Sequence, residues 1–220
     1  MLRSKRVITS LALAGAALGA ASVSASAATT GIGGICPQQT FTTPFASLGD
    51  TSAYTFAPGG NFETSLTGWT LTGSPTLVAD RVDNFGTGGD VQSLSLPAGA
   101  SATTPAMCLS TDYPYMRFFA KSASSSILSA LRVDVIYDGT TPSTVIPVAV
   151  LTGNAMTSWK ATPKLSTGVY LATIIANAKL LKGILSGTST LQSAGNARIR
   201  LTTGGGAWTV DNLMVDPRMR

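Results

Sequence analysis

The acidic side chains are the groups in this sequence that could do acid–base chemistry, because the chain contains no histidine. Mechanisms that need a Ser-His or Cys-His pair are therefore excluded. A glycosidase can still act with two carboxylates. The candidates are one glutamate and nine aspartates: Glu63, Asp50, Asp80, Asp83, Asp90, Asp112, Asp134, Asp138, Asp211 and Asp216. Several adjoin Gly, Asn, Thr or Pro, where Asp commonly serves turns, and none lies in a catalytic motif. We expect no catalytic residue among them.

Cys36 and Cys108 are the two cysteines of the chain. Two cysteines without histidine exclude the usual zinc sites. In an oxidising compartment an even pair is most simply a disulfide, with two free thiols as the alternative. Closing a loop of this length would stabilise the fold by roughly 4 kcal/mol.

The first residues are typical of a secretory signal peptide. Arg3, Lys5 and Arg6 precede an apolar run, and residues 25–27 fit the A-x-A cleavage pattern. The alternative is an uncleaved membrane anchor, for which the run is short and weakly apolar. We expect a signal peptide at 1–27, a loose tail at 28–35, one domain at 36–220, and a secreted protein that is extracellular or in the cell envelope.

Charge argues against nucleic acid as a partner. Removing the three basic residues of the signal lowers the formal net charge from +5 to +2, and no cluster of Lys and Arg remains. The basic patch expected of a nucleic-acid binder is therefore missing. After signal cleavage no membrane contact is expected either, and the oligomeric state stays open.

Alternating patterns predict an all-β fold. "LRVDVIYD", "ARIRLTT" and "YMRFFAKS" each alternate apolar and polar residues, and turns rich in Gly, Pro, Asn and Asp recur between them. Their spacing predicts a single-domain antiparallel β-sandwich of jelly-roll type. "VYLATIIANAKLLKGILSG", from Val169 to Gly187, has helical spacing instead. It predicts one short helix between late strands, with its apolar residues in the core.

Two motifs near the ends of the domain resemble those of a known class. "NFE" followed by "GW" at Trp69, with "WTVDNLMV" from Trp208, is similar to the opening and closing strands of secreted galactose-binding-like jelly rolls. Those are carbohydrate-binding modules of the xylan- and glucan-binding kind. The chain also resembles secreted actinobacterial proteins that share "SLSLPAG" and "RFFA". The resemblance implies that the first and last strands are neighbours, and that Phe62 and Trp69 pack in the core.

The resemblance also implies a structural calcium beside those strands. Glu63 and Asp211 would supply carboxylates, Asn212 an amide oxygen and Gly60 a backbone carbonyl, which are the hard oxygen ligands that calcium prefers. Asn212 stands where many such modules carry a second Asp, which lowers the charge of the ligand set. The alternative is a vacant site in which the acid holds a turn through backbone N–H groups.

Sugar-binding modules need exposed rings for stacking and polar groups for hydroxyls. The candidate ligand-binding residues are Tyr113, Tyr115, Arg117, Phe85 and Trp159. Arg117, Arg132, Asp134, Arg198 and Arg200 could line a concave sheet. The alternative for these charged residues is a solvated face laced with cross-strand ion pairs.

Non-catalytic binding of a cell-wall or environmental glycan is the function that the resemblance favours. One alternative is a structural or interaction protein of the cell envelope with no small ligand. Another is a histidine-free glycoside hydrolase, which would need two carboxylates facing each other in a cleft.

Overall fold

The computed structural model describes residues 40–82, 91–110, 115–138, 143–169 and 194–216, with positions 171, 172, 174, 175, 178 and 185. The signal peptide, the tail and Cys36 lie outside the described residues, so the domain bounds and the Cys36–Cys108 disulfide stay predictions. The strands are β1 Thr55–Phe56, β2 Thr70–Thr72, β3 Thr76–Val78, β4 Ser93–Leu96, β5 Ser101–Thr103, β6 Met107–Ser110, β7 Tyr115–Ser122, β8 Ala130–Tyr137, β9 Thr144–Thr152, β10 Lys160–Ala161, β11 Leu165–Ser166, β12 Ala194–Gly204 and β13 Trp208–Asp216. Two 3₁₀ turns span Ala46–Leu48 and Gly153–Ala155.

The strands form two antiparallel sheets, which confirms the predicted β-sandwich. The first sheet has the order β10-β7-β13-β4-β3, with β1 also paired to β13 and β11 to β7. The second has the order β2-β5-β12-β8-β9, with β6 also paired to β12. Cys108, on β6, is half-buried.

The core lies between the sheets, because successive side chains of a strand point to opposite faces. Phe118 and Val210 of the first sheet and Val133 and Ile199 of the second are fully buried in one cluster. These are inward positions of the alternating segments. The sequence periodicity therefore predicts correctly which face of each long strand is inside.

The outer face of the first sheet is covered as well. A covering segment, residues 42–54, folds back through a bridge between Thr42 and Tyr54. Phe45 and Tyr54 are fully buried, and the Phe45 ring centroid lies 5.3 Å from that of Phe119 on β7. This second apolar cluster explains why Phe119 is buried although it alternates away from the core.

The first and last strands are neighbours, as the resemblance implies. Thr55 pairs with Val215 and Phe56 with Met214. β13 is not an edge strand, however, because β7 and β4 flank it in the sheet. A register shift between Asp211 and Met214 marks a bulge in β13.

Strand β9 forms one edge of the second sheet. Val133 of β8 pairs with Ala149 and Asp134 pairs with Pro147, so Val148 is an extra residue in a bulge. Within the described residues no strand pairs with the other side of β9.

Helical backbone occurs at residues 169, 171, 172, 174, 175, 178 and 185, which confirms the predicted helix between β11 and β12. The expectation that its apolar residues lie in the core is only partly met. Val169 and Ala172 are buried, whereas Leu171 and Ile174 are 50% and 65% exposed. No helix among the described residues is long and apolar enough to cross a membrane.

Candidate functional site

Glu63 ties the loop after β1 to the start of β4. Both of its carboxylate oxygens accept the Val91 N–H at 3.0 Å, and Oε1 also accepts the Gln92 N–H at 3.1 Å. The preceding Phe62 has a left-handed φ of 58°, which is uncommon for a bulky residue, and its ring is fully buried. Glu63 therefore holds the backbone N–H groups of Val91 and Gln92, a contact that fits both predictions made for this acid.

Asp211 plays a similar part on the last strand. Its side chain is fully buried, and its oxygens accept the Val82 N–H at 3.2 Å and the Asn212 N–H at 2.8 Å. Asn212 has a left-handed φ of 51°, a conformation that Asn tolerates better than most residues. Asp211 and Glu63 thus anchor residue 82 and residues 91–92 respectively.

The residues predicted to bind calcium have suitable chemistry. A Cβ at Gly60 would lie 2.5 Å from the Leu213 carbonyl oxygen and 3.0 Å from that of Ala57. Only glycine therefore fits this close to the two oxygens. The Gly60 carbonyl oxygen already accepts the Leu213 N–H at 2.8 Å. A carboxylate oxygen has two lone pairs and can take a further partner. Among the described residues no three His, Cys, Asp or Glu side chains group as a metal site, so carbonyl oxygens would be needed. Calcium stays a prediction.

Of the predicted ligand-binding residues, Tyr113 and Phe85 lie outside the described residues. Tyr115, Arg117 and Trp159 lie on or beside β7 and β10 of the first sheet, on the side that carries the covering segment. The structure therefore brings these three to one face, although the covering segment occupies its middle.

Arg117, one of the predicted ligand-binding residues, makes structural contacts. It is 9% exposed, its Nη1 donates to Asp50 Oδ2 at 2.8 Å and its Nε donates to the Thr162 carbonyl oxygen at 2.9 Å. The guanidinium also lies 4.5 Å from the centroid of the Phe45 ring. Arg117 therefore fastens the covering segment to the sheet.

Tyr115 is 38% exposed and lies at the beginning of β7, with the Lys164 ammonium 5.8 Å from its ring centroid. Lys121 lies six positions further along the strand, which is about 20 Å at 3.3 Å per residue. Tyr115 is thus too far from the other end of β7 to share one small ligand with it.

Trp159 stands at that other end within a polar cluster. Its indole Nε1 donates to Asp80 Oδ1 at 3.2 Å, and the Lys121 ammonium donates to both Asp80 oxygens at 2.9 and 2.7 Å. The ammonium lies 5.1 Å from the ring centroid. Trp159 is half-buried, and the Lys121 and Asp80 side chains are 29% and 42% exposed. We call Trp159, Asp80 and Lys121 the Trp159 cluster.

The contacts of Trp159 with Asp80 and Lys121 cannot be predicted from the sequence. Lys121 alternates outward on β7, which places it on the correct face, but the chain gives no signal that Asp80 meets a tryptophan 79 positions later. Such long-range contacts follow from the pairing of β10 with β7 and from the path of the chain after β3.

The outer face of the second sheet carries ion pairs, as the prediction of a face laced with cross-strand pairs expects. Asp134 pairs with Arg132 and Arg200, each at 2.8 Å, and Arg198 pairs with Asp138. Burial is the unexpected feature, because the Asp134 side chain is only 1% exposed.

The acids that the structure describes have structural partners. Asp50, Asp80, Asp134 and Asp138 pair with basic side chains, while Glu63 and Asp211 accept backbone N–H groups. Asp216 is buried. Asp83, Asp90 and Asp112 lie outside the described residues. The acids in the described part of the chain are thus bound up in contacts that stabilise the fold.

No family model matches the sequence, and no curated protein matches it. Solved structures that it resembles include the CBM22-1 xylan-binding domain from Paenibacillus barcinonensis Xyn10C, at 13% identity and a TM-score of 0.44 over 73% of this chain and 93% of that chain. Another is TmCBM61 in complex with beta-1,4-galactotriose, at 12% identity and a TM-score of 0.38 over 72% and 95%. A third contains the CBM22-1-GH10 modules of Clostridium thermocellum xylanase 10B with xylohexaose, at 12% identity and 0.42 over 75% and 29%.

These structures include carbohydrate-binding modules, the class that the two terminal motifs of this chain resemble.

Proposed function

We propose that this protein is a secreted, non-catalytic module that binds a carbohydrate at the Trp159 cluster. The observation that carries the proposal is the half-buried indole of Trp159, whose Nε1 donates to the carboxylate of Asp80 and whose ring lies beside the ammonium of Lys121. An aromatic face and convergent polar groups are what a sugar ring needs, since its C–H face stacks and its hydroxyls hydrogen-bond.

Preorganisation favours binding at this cluster. The bond from Trp159 Nε1 to Asp80 fixes the ring, and the Lys121 ammonium beside the ring adds a cation–π contact. A ring that is already ordered loses little conformational entropy when a ligand arrives. The carboxylate retains lone pairs for sugar hydroxyls.

Trp159→Ala tests the proposal. The pull-down first identifies the glycan that binds the unsubstituted chain. We expect the substitution to weaken binding to that glycan by about tenfold or more, because a central tryptophan commonly dominates an interface. Pull-downs with insoluble polysaccharides, followed by calorimetry on the best ligand, measure the effect. Leu128→Ala is the matched control, since it removes an apolar side chain that is 77% exposed in the turn between β7 and β8. It should leave binding unchanged.

Two outcomes would overturn the proposal. Failure to bind any acidic, neutral or amino-sugar polymer would favour a structural or interaction protein of the cell envelope. Equal binding by Trp159→Ala and the full chain would move the site away from the indole.

We further propose that calcium binds at Glu63, Asp211, Asn212 and Gly60 and stabilises the loops around β1 and β13. Support comes from the carboxylate oxygens of Glu63 and Asp211 and the amide oxygen of Asn212, which are the hard donors that calcium prefers. A chelator should lower the Tm by several degrees, because an ion bound only to the native state stabilises it by mass action. Scanning calorimetry measures this, and the chelator should not change the Tm of Glu63→Gln. If the chelator did not change the Tm of the unsubstituted chain, the calcium proposal would be overturned, and Glu63 would bind only backbone N–H groups.

A further inference from the structure

The outer face of the second sheet has an uneven balance of charge. We call Arg132, Asp134, Arg198 and Arg200 the arginine face. Arg132 Nε donates to Asp134 Oδ1 at 2.8 Å, while Arg200 donates to Oδ2 from Nη2 at 2.8 Å and from Nε at 3.2 Å. One carboxylate therefore serves two guanidinium groups, and one positive charge remains.

Exposure differs between the acid and its partners. The Asp134 side chain is 1% exposed, whereas those of Arg132 and Arg200 are 51% and 34% exposed. Within the described part of the chain, Asp134 is the one acid that pairs with either arginine. Asp134 thus accepts from both guanidinium groups, and each guanidinium has N–H donors beyond those bonds. A face of simple one-to-one ion pairs would have no such surplus of donors.

Hydroxyl groups extend this face across the sheet. Arg200 pairs with Thr103 of β5, which in turn pairs with Thr70 of β2. Two residues further along β12, Thr202 pairs with Arg132 of β8. This second row continues to Ser101 of β5 and Thr72 of β2. Directly paired residues on neighbouring strands lie about 5 Å apart, so each arginine is followed across the sheet by a row of hydroxyl groups, of which that of Thr103 is buried.

We propose that the arginine face binds the carboxylate of an acidic glycan, with Arg132 and Arg200 as ligand residues and Asp134 as the residue that positions them. The planar guanidinium fork matches a carboxylate in two parallel hydrogen bonds. Of the described residues, Tyr115 is the one aromatic among the exposed large apolar side chains, and it lies on the other sheet. Recognition here uses charge and hydroxyls, independently of the stacking proposed at Trp159.

Affinity electrophoresis of the full chain in gels with polygalacturonate, or with its fully methyl-esterified form, tests this site. The two polymers differ in the free carboxylate alone. We expect retardation by the free acid, little by the ester, and weaker retardation as salt is added. Arg132→Gln should weaken binding about tenfold, because it removes a charge-assisted hydrogen bond. It leaves Asp134 with Arg200, and a melting curve checks that the variant folds.

Two further variants distinguish the guanidinium from simple charge. Arg132→Lys should restore binding only in part, since an ammonium cannot form the fork. Lys160→Gln removes one positive charge from the exposed side of β10 on the opposite sheet and should leave retardation unchanged. If Lys160→Gln and Arg132→Gln lost the same amount of retardation, net charge alone would explain the binding. This result would overturn the proposal. So would equal retardation by both polymers, or stronger binding to polyglutamate, which would indicate an acidic polypeptide instead.

Discussion

Asp50 has four partners for its one carboxylate, and they join the covering segment to two other parts of the chain. The Tyr54 hydroxyl donates to it at 2.7 Å, Arg117 at 2.8 Å and the Ser52 N–H at 3.2 Å, and Lys164 pairs with it at 2.9 Å. Burial by itself raises the pKa of this carboxyl, but the hydrogen bonds that it accepts together outweigh burial and hold the pKa well below its usual range. Asp50 therefore stays ionised in the folded protein at pH values that protonate it in the unfolded chain.

Asp50→Asn should lower the free energy of unfolding at pH 7 by roughly 3 kcal/mol, because Arg117 is left buried without its counter-charge. A group whose folded pKa is depressed stabilises the protein above its unfolded pKa of about 4, and this contribution is lost as the pH falls toward the folded value. The difference between the unsubstituted protein and the variant should therefore narrow steadily below about pH 4. Urea denaturation at several pH values measures it.

Asp138→Asn is the control for this prediction. The Asp138 side chain is 28% exposed and that of its partner Arg198 is 35% exposed, so the pair belongs to the class that contributes about 1 kcal/mol or less. A constant difference between Asp50→Asn and the unsubstituted protein from pH 7 to pH 2 would contradict the assignment of the network to Asp50.

At the scale of elements, the sequence predicts strands better than it predicts what covers them. The alternation in "YMRFFAKS" correctly separates Phe118, which faces the core, from Phe119, which does not. A solvated outer face is the wrong expectation at Arg117 and Phe119, which the covering segment buries. Periodicity reports which residues share a face, whereas the arrival of residues 42–54 on that face depends on tertiary packing.

The terminal motifs predict the pairing of β1 with β13 for a different reason. Phe62 and Trp69 are buried with ring centroids 5.4 Å apart, so a motif fixed by packing can be recognised in the sequence. The partners of Glu63 are backbone groups of Val91 and Gln92, which leave no trace in residue type. Because nearly every residue has a backbone N–H, the sequence can indicate that the acid holds such groups but not which ones.

At the scale of the whole molecule, the two outer faces of the sandwich differ in kind. The first carries the covering segment and leaves a tryptophan and a tyrosine at opposite ends. The second is a polar surface of arginines and hydroxyls over a buried acid. The two proposed sites therefore lie on different sheets, and each can be removed without touching the other.

The proline in β9 has a consequence for how copies of this protein behave at high concentration. The strand is nine residues long, carries no charge and exposes Val145 and Val150. A flat edge of this kind templates strand addition by another chain and, with it, aggregation. Pro147 supplies no N–H and the bulge at Val148 twists the strand, so both interrupt that template.

Pro147→Val should therefore shorten the lag before aggregates form on incubation just below the Tm, as followed by light scattering and thioflavin fluorescence. Pro163→Val, in the loop between β10 and β11, should aggregate no faster than the unsubstituted chain. Equal lag times for Pro147→Val and the unsubstituted chain would contradict this role. One imino acid in an edge strand then sets how long the protein remains dispersed in solution.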